Sequence, residues 1–245
     1  MDHARLTAAL EATWPPAERR ADVPGWTLRR GLGGGKRVSA ATRRGTGGDI
    51  DEAAAAMRAW AQAPLFRIDP DDEGDMALDA ALAARGFAVV DPSILYAAPA
   101  RDLAALETPE GVKTALVRAR LALLDEIWDS GGVGPARRAV MARAPAPKTT
   151  IMARTDTAVA GVAFVAVSGE IAMIHAIEVR PEHRRKGGGR ATLEGAARFA
   201  LDNGAEALAL AVTEENAPAR ALYARVGMTE AGRYHYRIAP DGENA

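Results

Sequence analysis

The sequence predicts a mixed α/β fold, and three observations carry that reading. From Ile174 to Ala200 the chain reads as a buried strand, a tight basic glycine loop and a helix. From Thr150 to Val179, apolar runs separated by Thr155-Asp156-Thr157 and Ser168-Gly169 read as antiparallel strands. Third, strands and helices of the first half recur in the second. Arg43-Arg44-Gly45-Thr46-Gly47-Gly48 stands against Arg184-Arg185-Lys186-Gly187-Gly188-Gly189, and Arg85-Gly86-Phe87 against Val226-Gly227-Met228. Both alignments have an offset of 141 residues (43 to 184, 86 to 227), which points to an internal duplication.

In chain order, residues 4–13 form a short amphipathic helix stopped by Pro15-Pro16. Trp26 to Arg30 and Arg37 to Arg44 read as strands around a glycine-rich hairpin turn, Gly31 to Lys36. That turn is not a P-loop. A P-loop needs a glycine where Arg30 stands and a hydroxyl residue where Arg37 stands. A helix from Ile50 to Gln62 with Asp49 as N-cap follows, then a strand Leu65 to Ile68. A helix from Met76 to Arg85, closed by Gly86, leads to a strand Ala88 to Ala97. A charged, proline-containing junction runs from Pro99 to Gly111.

Ala115 to Trp128 reads as a helix with Leu116, Ala119, Leu123 and Ile127 in one stripe. Ser130 to Pro135 breaks it, and Ala136 to Ala144 is a second helix. After the three antiparallel strands, Pro181 ends the last one and Leu193, Ala196, Ala197 and Ala200 repeat at helical spacing. Ala207 to Val212 reads as a buried strand. Asn216 then caps a helix with Pro218 in its first turn and Gly227 at its end, and a late strand carries Tyr234-His235-Tyr236-Arg237.

Composition narrows the function. A net charge of −1 on 245 residues gives no global field for nucleic acid or an acidic membrane. Without cysteine there is no disulfide, thiolate metal site or cysteine nucleophile. The N-terminus lacks the apolar segment of a signal peptide, and no run matches a membrane span, so a cytoplasmic protein is expected. His3, His175, His183 and His235 show no ligand spacing, so no metal is expected.

The basic glycine loop points to phosphate. The first N–H groups of a helix lack internal partners and carry the positive end of the helix dipole. Glycines let backbone approach an anion closely, and Arg184, Arg185, Lys186 and Arg190 add attraction.

Arg184, Gly187 and Gly189 resemble the Arg/Gln-x-x-Gly-x-Gly/Ala loop of the GCN5-related N-acetyltransferases. Asn216, Leu222, Tyr223, Gly227 and Met228 resemble that family's second signature. The match covers about residues 172 to 237. It implies a central twisted mixed sheet flanked by helices, here as a tandem of two similar lobes. Residues 1–100 would be a degenerate lobe without a cofactor site, since Lys186, Gly187 and Tyr223 become Gly45, Thr46 and Leu82. Residues 101–245 would be the catalytic lobe.

The resemblance also implies the chemistry: transfer of an acetyl group from acetyl-CoA to a primary amine, on a small molecule or a protein. Tyr223 would be the general acid on the coenzyme sulfur, and Glu178 the best candidate for general base, with His175 and His235 as runners-up. Alternation puts His175, Ile177 and Val179 on one strand face and Ala176 and Glu178 on the other, but the family often has a bulge here that would undo that parity. The Val179 amide would bond the thioester carbonyl, beside Ile177. The loop from Arg184 through Arg185, Lys186, Gly187, Gly188, Gly189 and Arg190 to Ala191 would hold the pyrophosphate. Asn216 would contact pantetheine or acceptor. Trp128, the glycine turn from Ser130 to Pro135, His175 and His235 are candidate walls of the acceptor pocket, and Glu214 and Glu215 would favour a cationic acceptor. Without a cysteine, direct transfer in a ternary complex is simpler than a ping-pong route. The rival reading is an acyl-CoA-binding sensor or structural protein that does no chemistry. The expected assembly is a monomer or homodimer, because duplicated lobes can stand in for a dimer.

Overall fold

A computed structural model describes residues 2–45 and 48–240. In the first half the elements are α1 (His3–Thr13), β1 (Glu18–Arg20), β2 (Trp26–Arg30), β3 (Thr42–Arg43), α2 (Ile50–Arg58), β4 (Leu65–Ile68), α3 (Glu73–Ala84), β5 (Ala88–Pro99) and α4 (Ala100–Ala104). In the second they are β6 (Lys113–Val117), α5 (Ala122–Ser130), α6 (Pro135–Arg143), β7 (Lys148–Arg154), β8 (Val159–Ser168), β9 (Ile171–Val179), α7 (Gly188–Asp202), β10 (Ala207–Thr213), α8 (Ala217–Arg225) and β11 (Thr229–Ile238). The order β1-β2-β3-α2-β4-α3-β5 recurs as β7-β8-β9-α7-β10-α8-β11, as the repeated landmarks predict. Thr46 and Gly47 of the earlier loop lie outside the described residues.

The fold is mixed α/β. Strands β1-β2-β3 form one sheet, and the other eight form a mixed sheet in the order β4-β11-β5-β10-β9-β8-β7-β6. Contacts divide the chain into two compact units that are not its two halves. The first takes described residues 2–13, 95–212 and 216–231, and the second 14–94, 213–215 and 232–240. The division therefore differs from the expected 1–100 and 101–245. Helix α1 belongs with later strands, and the long strands β5 and β11 each run from one unit into the other.

In the first unit β7, β8 and β9 make the predicted antiparallel meander. Helix α7 packs on β6 to β9 through Leu193, Ala196, Ala197 and Ala200, all fully buried. Small side chains let the helix lie close to the sheet. One predicted helix is corrected. Lys113–Val117 is the strand β6, paired to β7 from Lys113↔Arg154 to Val117↔Thr150, and α5 starts only at Ala122. Leu116 and Leu123 of the expected stripe are 48% and 40% exposed, while Leu124, Ile127 and Trp128 are buried. Of the expected stripe only Ile127 lies on the buried face of α5. Thr114 and Val117, branched at Cβ, suit the strand.

In the second unit Trp26, Leu28, Met57, Phe66, Leu82 and Phe87 form the core. Asp49 caps α2 by accepting from the N–H groups of Asp51 and Glu52. The predicted strand Arg37 to Arg44 shrinks to Thr42–Arg43, and Lys36–Val38 is a 3-10 turn. The Gln62 side chain supplies the missing ladder bonds. Its Nε2 donates to the carbonyls of Arg29 (3.0 Å) and Ser39 (2.6 Å), and its Oε1 accepts from Gly31 N–H (3.1 Å). One parallel bridge, Ala41 to Phe66, stands where the later repeat has the parallel β9–β10 pair. No helix among the described residues is long and apolar enough to cross a membrane.

Candidate active site

Strand β9 is irregular at the point that matters. Between the pairs Phe164↔His175 and Val162↔Glu178, β8 advances two residues and β9 three. The extra residue is a β-bulge, and Ala176 takes φ 49° within it. Trp128 Nε1 donates to the Ala176 carbonyl at 2.9 Å and fixes the bulge from α5. Beyond it, Arg180 N–H bonds the Ala160 carbonyl on the β8 side. Strand alternation then turns the backbone groups of Ile177 and Val179 to the other side. There β10 pairs with β9 only at Ala207↔Ile171, Leu208↔Ala172 and Ala209↔Met173. Past Met173 the two strands part, leaving a gap bordered by backbone of Ile177 and Val179.

The basic loop closes one end of this stretch. Pro181–His183 makes a 3-10 turn, and Arg184 Nε donates to the Val179 carbonyl at 3.2 Å. Gly187 is the N-cap of α7 at φ 88°, a left-handed conformation that suits glycine. A Cβ there would also lie 2.3 Å from Cγ of Pro109. The first N–H of the helix to reach a helical carbonyl is that of Ala191, bonded to Gly187 O at 2.9 Å. The amides of Gly188, Gly189 and Arg190 precede it and, as first-turn groups, have no intrahelical acceptor. Arg184, Arg185 and Lys186 are exposed, Arg190 is half-buried, and Gly188 and Ala191 are buried. Bare amides, a left-handed glycine and nearby cations fit a diphosphate.

Tyr223 and Glu178 share one environment. Tyr223, on α8, is 6% exposed. Burial first, then the charge of Glu178 and the neighbouring Tyr96, hold its hydroxyl well above the ordinary tyrosine range. The Tyr96 ring lies 5.6 Å away, and its own hydroxyl donates to Glu230 Oε1 at 3.1 Å. Glu178 is half-buried, and burial raises its carboxyl above the ordinary range, opposed by Arg184 and Arg137. Its carboxylate lies over the α5–α6 turn, where a Cβ on Gly131 would be 2.1 Å from Glu178 Cδ. A tyrosine kept protonated and a carboxylate held nearer neutrality have the protonation states that an acid and a base need.

Other predicted residues go elsewhere. Asn216 uses Oδ1 to cap α8, accepting from Ala219 N–H at 3.2 Å. His175 is 4% exposed, bonded to Thr13 Oγ1 at 2.9 Å and stacked with Phe164 at 6.2 Å. The bulge keeps it in the core, while Ile177, Glu178 and Val179 are half-buried. His235 lies in the second unit, where its Nε2 meets Asp79 Oδ1 at 2.7 Å beside Arg237. Glu214 accepts from Arg233 at 2.8 Å. Trp128 is buried and holds the bulge. Sequence reasoning missed Arg137, Tyr96, Pro109 and the seat that Gly131 gives Glu178. For Gly131 a signal existed in the Gly131-Gly132 break between two helices. The others carry none in their spacing.

Residues 115–228 match the acetyltransferase (GNAT) family. The streptothricin acetyltransferase of Streptomyces lavendulae is 39% identical over 103 residues, covering 40% of this chain and 54% of that protein. The chain spans about half the length of the curated relatives it matches. Among solved structures, a GCN5-related N-acetyltransferase from Kribbella flavida superposes with TM-score 0.75 over 98% of this chain and 96% of its own, at 20% identity. A tandem GNAT protein from the clavulanic acid biosynthesis pathway superposes with TM-score 0.59 over 96% of this chain and 87% of its own, at 17% identity. Residues 115–228 are a domain of the acetyltransferase (GNAT) family.

Proposed function

We infer that the protein is an acyltransferase that moves an acetyl group from acetyl-CoA directly to a primary amine. The observation that carries this is the parting of β9 from β10 beside the bare start of α7, with Tyr223 and Glu178 in electrostatic contact. The loop amides from Gly187 to Arg190, with Arg184, Arg185 and Lys186, would bind the pyrophosphate. The N–H groups of Ile177 and Val179 would orient the thioester, whose carbonyl carbon supplies the electrophile.

An alkyl amine has a pKa near ~10 and must be neutral to attack. Glu178 would take the proton that the amine loses as the C–N bond forms. Tyr223 would give its proton to sulfur as the C–S bond breaks, and regain one from solvent. A raised tyrosine pKa suits an acid that must stay protonated until the thiolate departs, and a raised carboxylate pKa suits a base working near neutrality. The lack of cysteine favours this single-step route in a ternary complex. Free coenzyme thiol and a cysteine-free chain both suit a cytoplasmic setting.

The earlier repeat would be a lobe that lost its cofactor site. Its α2 starts at a capped N-terminus, since Asp49 occupies the amides that α7 leaves bare. The acceptor would be an amine-bearing small molecule or protein amine, and the chain a monomer or homodimer. The test is incubation with acetyl-CoA and an amine panel, measuring free thiol. Release dependent on a particular amine is expected. Coenzyme binding with no thiol release from any amine would favour a sensor.

A further inference from the structure

A second cavity lies in the first unit, between α5, α6 and the β7–β8 pair, with a volume of about 410 Å³. Neither Tyr223 nor Glu178 lines it. Its floor is apolar: Leu124, Trp128, Met141 and Phe164. All four are buried in the fold, between 2% and 5% exposed. Its rim is cationic, with Arg118, Arg120 and Arg138 against a single carboxylate, Asp125. Arg138 is committed: its Nε lies 3.3 Å from Asp125 and it also bonds Asp129 and the Val133 carbonyl. Arg120 touches Asp125 through Nε at 2.6 Å, and its side chain is 79% exposed. Arg118, on the same β6–α5 connection, is exposed and has no ion pair among the described residues.

This rim carries more positive charge than its carboxylate balances, above a floor that water wets poorly. A cavity of this size holds a small ligand, and such sites combine an apolar body with a few convergent polar groups. Two guanidiniums at the mouth favour an anion, and arginine matches a carboxylate in a two-pronged geometry.

We propose that this cavity is a binding site for a medium-chain carboxylate, with the alkyl chain on Leu124, Met141 and Phe164 and the carboxylate at Arg118 and Arg120. The cavity shares Trp128 with the bulge of β9 but is lined by neither Tyr223 nor Glu178, and probe binding is read without acetyl transfer, so the two readings can fail separately.

The test uses the full chain and octanoate as probe, followed by calorimetry, with octylamine and octanol as controls for charge. Saturable binding of octanoate is expected, at least tenfold tighter than octylamine. The double variant Arg118→Glu/Arg120→Glu is expected to weaken it about tenfold, since exposed ion pairs contribute modestly. Ala139→Phe, which fills the cavity from an exposed position on α6, is expected to abolish it, with far-UV circular dichroism unchanged. The proposal is overturned if octanoate does not bind, if octylamine binds equally well, or if both variants bind octanoate as the parent does. Loss of octanoate binding in Gly187→Glu with retention in Ala139→Phe would place the probe in the coenzyme site and overturn it too.

Discussion

Tyr223 and Glu178 acquire their character from burial more than from any bond. Replacing Tyr223 by Phe keeps the ring and its packing against Tyr96 but removes the hydroxyl proposed as the proton donor. Turnover is expected to fall by about 10²-fold or more with coenzyme affinity little changed. Unchanged kcat would remove Tyr223 from the reaction. For Glu178 the sign is set by its raised pKa: the proposed base works as a carboxylate, so kcat/KM should rise with pH through a value above the ordinary 4.5. Glu178→Gln should abolish that acid limb, and a limb that persists would assign it to another group. Gly131 has φ −92°, so alanine there costs no backbone strain. Its methyl would instead displace the Glu178 carboxylate, and a shift of an ångström is worth about 10² in rate. Gly131→Ala should therefore retain its melting temperature and lose kcat. Retention of full activity would show that Glu178 does not need its seat.

At the scale of elements, the proposed site is the junction of β9 and α7. Gly187→Glu places charge and bulk where bare amides would face the pyrophosphate, and forces a side chain into both a left-handed conformation and Pro109. Coenzyme binding, read by calorimetry, should be lost while the far-UV spectrum is kept. Normal affinity would refute the loop as the pyrophosphate site. These elements were legible because their signals are local. A β-run, a proline, glycines and an alanine stripe follow one another within Ile174 to Ala200. The β6–α5 segment was not legible. Its apolar residues fit a helical stripe on paper, but edge pairing with β7 outweighs propensity for Lys113–Val117. The bulge at Ala176 is out of reach of strict alternation and was foreseen only through the family resemblance, because it exists through a mismatch with β8 and a bond from Trp128.

For the molecule as a whole, stability in acid rests partly on the second unit. Asp79 accepts from Arg237 Nε (2.7 Å) and Nη2 (2.9 Å) and from His235. The Arg237 bonds, helped by His235, lower its pKa from 3.8 to about 2 despite burial. A depressed carboxylate pKa stabilises the fold above its unfolded value, and that stability drains away as pH falls through the folded value. The loss should span about pH 4 to pH 2 and amount to roughly 2 kcal/mol. Asp79→Asn should be less stable than the parent at pH 7 by a similar amount, with the gap closing toward pH 2 in urea titrations. A constant gap would locate the effect in packing instead. His235 thus has a structural partner, which its place in Tyr234-His235-Tyr236 did not reveal.

By itself the sequence determined the mixed α/β class, the repeated element order and the loop that can receive a diphosphate. Each of these is written in neighbouring residues, where spacing alone sets geometry. Only the tertiary structure decided which side chains meet. It put Glu178 over Gly131 and within the field of Tyr223, drew His175 into the core against Thr13, and divided the chain across β5 and β11. Those outcomes depend on register, on a single extra residue in β9, and on burial, and all three arise between segments far apart in the chain.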